Sequence, residues 1–79
     1  MTLHISSAYN EDLIYINSKI VEMGGLCEQI MNNTNLSIRD NNVQLAEKAV
    51  ILDEKLDYLE NEINESVIKA IALRQPVAD

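Results

Sequence analysis

From Leu45 to Leu73 the chain repeats one spacing. Leu45, Ala49, Leu52, Leu56, Leu59, Ile63, Ser66, Ala70 and Leu73 follow one another at alternating steps of four and three, and Ser66 alone is polar. A period of 3.5 residues with a narrow apolar seam belongs to a helix that lies lengthwise against another helix. Strands need a period of two, so this stretch excludes a sheet.

A second stretch carries the same spacing. Tyr9, Leu13, Ile16, Ile20, Met23, Cys27 and Ile30 step by four and three, and Ile14 and Val21 widen the apolar face to one side. Ser6 or Ser7 is expected to cap this first helix, with Glu11 and Asp12 in its first turn. Gly24 and Gly25 fall inside it, where two glycines cost about 1–2 kcal/mol of propensity. The seam continues through them, so they predict a close helix contact or a slight kink. The polar run from Asn32 to Asn35 weakens the pattern, and Asp40 is the expected N-cap of the second helix. Pro76 ends that helix, Lys69 and Arg74 suit its negative end, and Glu65 and Lys69 are spaced for an i,i+4 ion pair.

The spacing therefore predicts an all-α fold, an antiparallel two-helix hairpin. The first helix runs over about 8–36, a turn over about 37–41 and the second helix over about 42–74. Seventy-nine residues with two Gly, one Pro, no Trp and no Phe form one small aliphatic unit with few turns. Ile14, Val21, Val50, Ile51, Val67, Ile68 and Ile71 lie off both seams and read as a second apolar flank. Such a flank calls for a third helix or another copy of the hairpin, so a homo-oligomer is expected.

Composition narrows the function. A net charge of −7 disfavours nucleic acid and anionic lipid as partners. No apolar run spans a membrane, and Met1 to Ser7 lack the features of a signal peptide, so a cytoplasmic location is expected. The lone Cys27 builds no internal disulfide, and with the single His4 near the start it forms no nucleophile–base pair. The sequence contains no catalytic set, and no enzyme is expected.

The acids are concentrated: eight lie between Asp40 and Glu65 against Lys48 and Lys55. Asp53 and Asp57 are four apart and share one helix face, with Glu60 one turn further on. Two carboxylates so placed repel by a few tenths of a kcal/mol, and a hard divalent cation (Fe, Mn, Mg or Ca) turns that cost into a gain. A solvated helix face carries the same residues when no metal is bound.

Four segments resemble the N-terminal end of the PhoU family, accessory proteins of the bacterial phosphate-specific transport system. They are His4 to Leu13, Glu22-Met23-Gly24-Gly25-Leu26, Leu52 to Glu60, and Ala72-Leu73-Arg74-Gln75-Pro76-Val77-Ala78-Asp79. The resemblance implies two helices of a PhoU-like three-helix bundle, over residues 1–79 as a partial domain, and hence a truncated or split form. It implies a negative regulator of phosphate uptake and of phosphate-starvation signalling. The partners it implies are the ATPase subunit of the phosphate ABC transporter and a phosphate-sensing histidine kinase. It also implies metal ligation by Asp53 and Asp57, which match the family's Asp/Glu-x-x-x-Asp motif, with Glu60 beside them. The alternatives are a coiled-coil hairpin that only self-associates and a gene fragment without function.

Overall fold

The structure, a computed structural model, describes residues 2–74, with side chains from Ala8 onward. Two helices make the fold: α1 (Thr2–Asp40) and α2 (Val43–Arg74). They lie antiparallel in a flat rod of 62 × 21 × 11 Å, one helix thick. The all-α hairpin expected from the two seams is the architecture observed.

α1 starts earlier and ends later than its seam suggested, at Thr2 and Asp40. Ser and Thr are only modestly poorer helix formers than the residues around them, so Ser6 and Ser7 are carried inside the helix and do not cap it. Glu11 and Asp12 consequently sit in the helix body, away from the first turn. α1 also runs through Gly24 and Gly25 without a break, and a Cβ built on either glycine meets nothing within 4 Å. The glycines mark no close helix approach within the hairpin.

The turn is built by two asparagines. Asn41 takes the left-handed conformation (φ 51°), which Asn tolerates better than most residues. The Asn42 N–H then donates to the Ser37 carbonyl at 2.9 Å, closing the C-terminus of α1. The Asn42 Oδ1 accepts from the Leu45 N–H at 3.2 Å, so Asn42 is the N-cap of α2. Asp40, expected in that role, belongs instead to the last turn of α1, where its carboxylate pairs with Arg39 at 3.0 Å. Both residues make good caps, and the left-handed residue between them decides which is used.

The α2 seam packs as read. Ala49, Leu59 and Ile63 are buried, and Leu45, Leu52, Leu56, Ser66 and Ala70 are half-buried. Leu73, at its end, is exposed. The α1 seam is different. Among its described residues, the shielded positions Asp12, Ile16, Lys19, Met23, Leu26, Ile30, Asn33 and Ser37 also step by four and three, with Thr34 and Leu36 half-buried beside them near the turn. Ile16, Met23 and Ile30 belong to both series; Tyr9, Leu13, Ile20 and Cys27, expected in the seam, are exposed. α1 is rotated so that α2 covers the edge of its apolar face and leaves the centre uncovered. Ser37 is the most buried of the described side chains of α1, and its hydroxyl donates to the Thr34 carbonyl at 2.7 Å.

Polar pairs across the helices accompany this rotation. The Arg74 guanidinium donates to the Asp12 carboxylate at 2.6 Å, joining residues 62 positions apart at the open end. Lys19 reaches across to Glu62 at 3.9 Å and along its own helix to Glu22 at 3.8 Å, with its ammonium 5.5 Å from the Tyr15 ring centre. These groups need one flank of α1 turned toward α2. Glu65 and Lys69 form no ion pair in this arrangement.

Candidate functional site

The hairpin presents two unlike sides. On one, Tyr9, Leu13 and Ile16 of α1 and Val67, Ala70 and Ile71 of α2 line a groove of about 450 Å³ at the open end, closed by Arg74. Its walls are almost wholly apolar. On the other side, Asp12, Tyr15, Ser66 and Lys69 form a polar groove of about 320 Å³ over the same stretch of helix. Further along that side, Glu22, Leu26, Lys55, Tyr58, Leu59 and Glu62 line a third depression.

The off-seam apolar residues do not form one flank. Val67 and Ile71 line the apolar groove. Ile51 lies on the polar side, against Gln29, Asn33 and Lys48. Ile14 and Val21 point away from α2 altogether, with Val21 75% exposed. A single apolar flank was therefore too simple a reading of the sequence. The helices have separate outer faces, and only the face of α2 carrying Val67 adjoins the exposed face of α1.

Asp53, Asp57 and Glu60 are all exposed on α2. Asp53, Glu60, Val67 and Arg74 are spaced by seven, so they share one line along the helix. The acid line is thus the continuation, toward the turn, of the α2 wall of the apolar groove. None of the three acids appears in an ion pair among the described residues. Their oxygens suit a hard cation, yet no group of three His, Cys, Asp or Glu side chains comes together among the described residues. The two aspartates are a partial donor set, which six- to eight-coordinate ions complete with water or with ligands from elsewhere.

Sequence reasoning passed over Asp12, Lys19 and Arg74 as cross-helix groups. The signal was available once the turn was located. Asp12 meets Arg74, Leu26 meets Leu59 in one depression and Asn33 meets Leu52 in another. Residues whose numbers add to about 86 therefore stand at one level of an antiparallel pair rising about 1.5 Å per residue. With the turn at Asn41–Asn42, Arg74 falls opposite Asp12.

Two long antiparallel helices, a heptad seam between them and an apolar groove left open beside it define an element of a helical-bundle protein. The PhoU domain model matches residues 20–79. The phosphate-specific transport system accessory protein PhoU homolog of Rhizobium meliloti is 41% identical over 75 residues, 95% of this chain and 32% of that protein. The homolog of Caulobacter vibrioides is 36% identical, over 99% of this chain and 34% of that protein. PhoU of Edwardsiella tarda is also 36% identical, over 95% of this chain and 31% of that protein. The chain belongs to the PhoU family, and it spans about one third of the length of the curated relatives it matches. No solved structure matches it significantly. No helix of the described residues is long and apolar enough to cross a membrane.

Proposed function

We propose that this chain serves phosphate homeostasis as a PhoU-type regulator that dampens phosphate uptake and the phosphate-starvation response. It acts by binding proteins through helical surfaces and performs no catalysis. The observation that carries the reading is the match of nearly the whole chain to phosphate-transport accessory proteins at up to 41% identity. The partners proposed are the ATPase subunit of the phosphate transporter and the phosphate-sensing histidine kinase, both met at the cytoplasmic side of the membrane. A net charge of −7 suits basic surfaces on such partners.

Asp53 and Asp57, with Glu60, are proposed as ligands for a divalent cation. The support is their spacing, their exposure and their freedom from ion pairs. A bound ion would neutralise the acid line and could bridge it to carboxylates of another helix. Two aspartates alone make a weak site, so ligands from outside residues 2–74 belong to the proposal.

The test is a chimera. In a bacterium whose PhoU is the Rhizobium meliloti homolog, this chain replaces the matching third of that protein. Uptake of labelled phosphate under phosphate-rich conditions is then measured. Retained restraint on uptake is the result expected. Unrestrained uptake by a chimera that accumulates in folded form contradicts the proposal.

A further inference from the structure

The chain has four lysines, Lys19, Lys48, Lys55 and Lys69, against thirteen acids. All four lie on the polar side. Lys48 borders the depression with Gln29 and Asn33, Lys55 the one with Glu22 and Tyr58, and Lys69 the groove with Tyr15 and Ser66. Lys19 crosses from α1 to Glu62 at the Lys55 depression. On α2, Lys48, Lys55, Glu62 and Lys69 are spaced by seven and form one line about 32 Å long. Asp53 and Glu60, each five residues beyond a lysine of that line, lie about 140° away around the helix.

The line lacks partners within the hairpin. Three and four residues from Lys48 stand Gln44, Leu45, Ile51 and Leu52; around Lys55 stand Ile51, Leu52, Tyr58 and Leu59. No acid is therefore placed one helical turn from either lysine. Lys48, Lys55 and Lys69 are exposed, and none appears in an ion pair among the described residues. Glu62, the one acid on the line, is already drawn to Lys19 at 3.9 Å. Ile51 and Tyr58 stand beside the lysines and are exposed too. The rod is one helix thick, so a helix laid in the apolar groove covers the opposite side and leaves this line in water.

We infer that the lysine line is a docking surface for an acidic amphipathic helix of a protein partner. That helix lies lengthwise along the polar side, with carboxylates opposite Lys48, Lys55 and Lys69 and apolar side chains against Ile51 and Tyr58. Charge complementarity selects the occupant: positive groups about 10 Å apart in a straight row match acids repeated every seven residues on one helix face. Glu62 adds a register mark, because an acid on the partner opposite it meets a like charge. An anionic membrane also offers negative charge, but the whole chain, at −7, is repelled from such a surface. A single partner helix presents one row of acids to one side only. The inference rests on the placement of the lysines and not on the role in phosphate transport.

Two measurements on the chimera described above test it, with this chain in a full-length setting. The first is lysine acylation by acetic anhydride, read by mass spectrometry in the folded protein and in urea. Lys48 and Lys55 should react within about tenfold of their unfolded rates; greater slowing of both means that the rest of the protein covers them, and overturns the inference. The second is fluorescence anisotropy with a labelled, lactam-stapled helical peptide carrying Glu opposite Lys48, Lys55 and Lys69 and Gln opposite Glu62. Saturable binding with a Kd below about 100 μM at low salt is expected, and its absence overturns the inference. Lys48→Gln with Lys55→Gln should weaken binding about tenfold. Asn17→Asp with Asn32→Asp changes the net charge equally, at exposed positions of α1 outside all three depressions, and should leave binding within about twofold. Equal weakening by both pairs means general repulsion and overturns the site. A peptide with Glu opposite Glu62 should bind about threefold more weakly; unchanged binding overturns the register. Vesicles of anionic lipid bound more tightly than the peptide, through the same two lysines, overturn the choice of a protein partner. Far-UV circular dichroism checks each variant, and Lys and Gln have nearly equal helix propensity. Neither measurement reads phosphate uptake, so failure here and failure of the regulator reading are told apart.

Discussion

Leu59→Ala should remove a large part of the stability of this fold. Leu59 is 5% exposed, the most buried residue described, and it belongs to the one seam that both sequence and structure place between the helices. The substitution deletes three carbons, and at about 0.8 kcal/mol per buried methylene the transfer loss is about 2.4 kcal/mol. A cavity term usually adds to this, and Leu→Ala changes in cores span about 2–5 kcal/mol. Here that addition is small. The depression beside Leu59 is open to water and lined by Glu22, Lys55 and Glu62, whose long side chains can move into the gap. The expected loss is therefore about 2.5 kcal/mol, against a total of about 3–5 kcal/mol for so small a core. Urea unfolding followed by helical circular dichroism measures it, at one fixed protein concentration so that any association between chains contributes equally to each variant. With a slope near 1 kcal/mol per molar urea the midpoint should fall by about 2.5 M. The neighbouring Tyr58 is 77% exposed, and Tyr58→Ala should shift stability by no more than about 0.5 kcal/mol. If the two variants unfold alike, Leu59 is not in the core and the seam of α2 is misplaced.

The other expectations concern the turn, the open end and the acid line. Asn42→Ala removes the cap on the Leu45 N–H and should cost about 0.5–2 kcal/mol, whereas Asp40→Ala, lacking a capping role, should cost less than about 0.5 kcal/mol; urea midpoints order the two. Asn41→Gly should raise stability slightly and Asn41→Ala lower it by about 1 kcal/mol, because the φ of 51° suits Gly best. Asp12→Asn weakens the contact to Arg74 and should cost about 0.5–1 kcal/mol, with faster amide exchange in the last turns of α2 and a smaller effect in high salt. Replacing Asp53 and Asp57 together by Asn should leave the hairpin folded and slightly more stable without metal, by a few tenths of a kcal/mol. The same double variant should abolish any stabilisation by manganese, read as the shift in melting temperature on adding the ion.

Much of the fold was legible because α2 offers a single seam. Between Leu45 and Ala70 no second four-three series competes, so apolar spacing and burial coincide. α1 offers two series that share Ile16, Met23 and Ile30. Apolar content favours the one with Leu13, Ile20 and Cys27; the hairpin uses the one with Asp12, Lys19 and Leu26. The pattern of one helix states which face is apolar but not which neighbour that face meets. Here cross-helix partners turn α1, among them Arg74 for Asp12 and Glu62 for Lys19, and these pairings depend on a register set by the turn. The turn in turn rested on a choice between Asp40 and Asn42, which side-chain chemistry alone leaves open. The aspartate pair was legible in the limited sense that Asp53 and Asp57 share an exposed face. Cys27, read as a small seam residue, is exposed for the same reason as Leu13 and Ile20.

The rotation of α1 is the claim on which the open groove depends, and thiol labelling tests it most directly. Positions 26 and 27 belong to the competing seams. In one protein the native Cys27 is the single thiol; in the other, Cys27→Ser is combined with Leu26→Cys. Each is labelled with an aromatic disulfide at low protein concentration, folded and in urea. Thiol reactivity follows exposure, so Cys27 should react within a factor of about three of its unfolded rate, while a thiol at position 26 should be slowed about tenfold or more. The opposite order, with Cys27 protected and position 26 free, would put Leu13, Ile20 and Cys27 against α2 and close the groove.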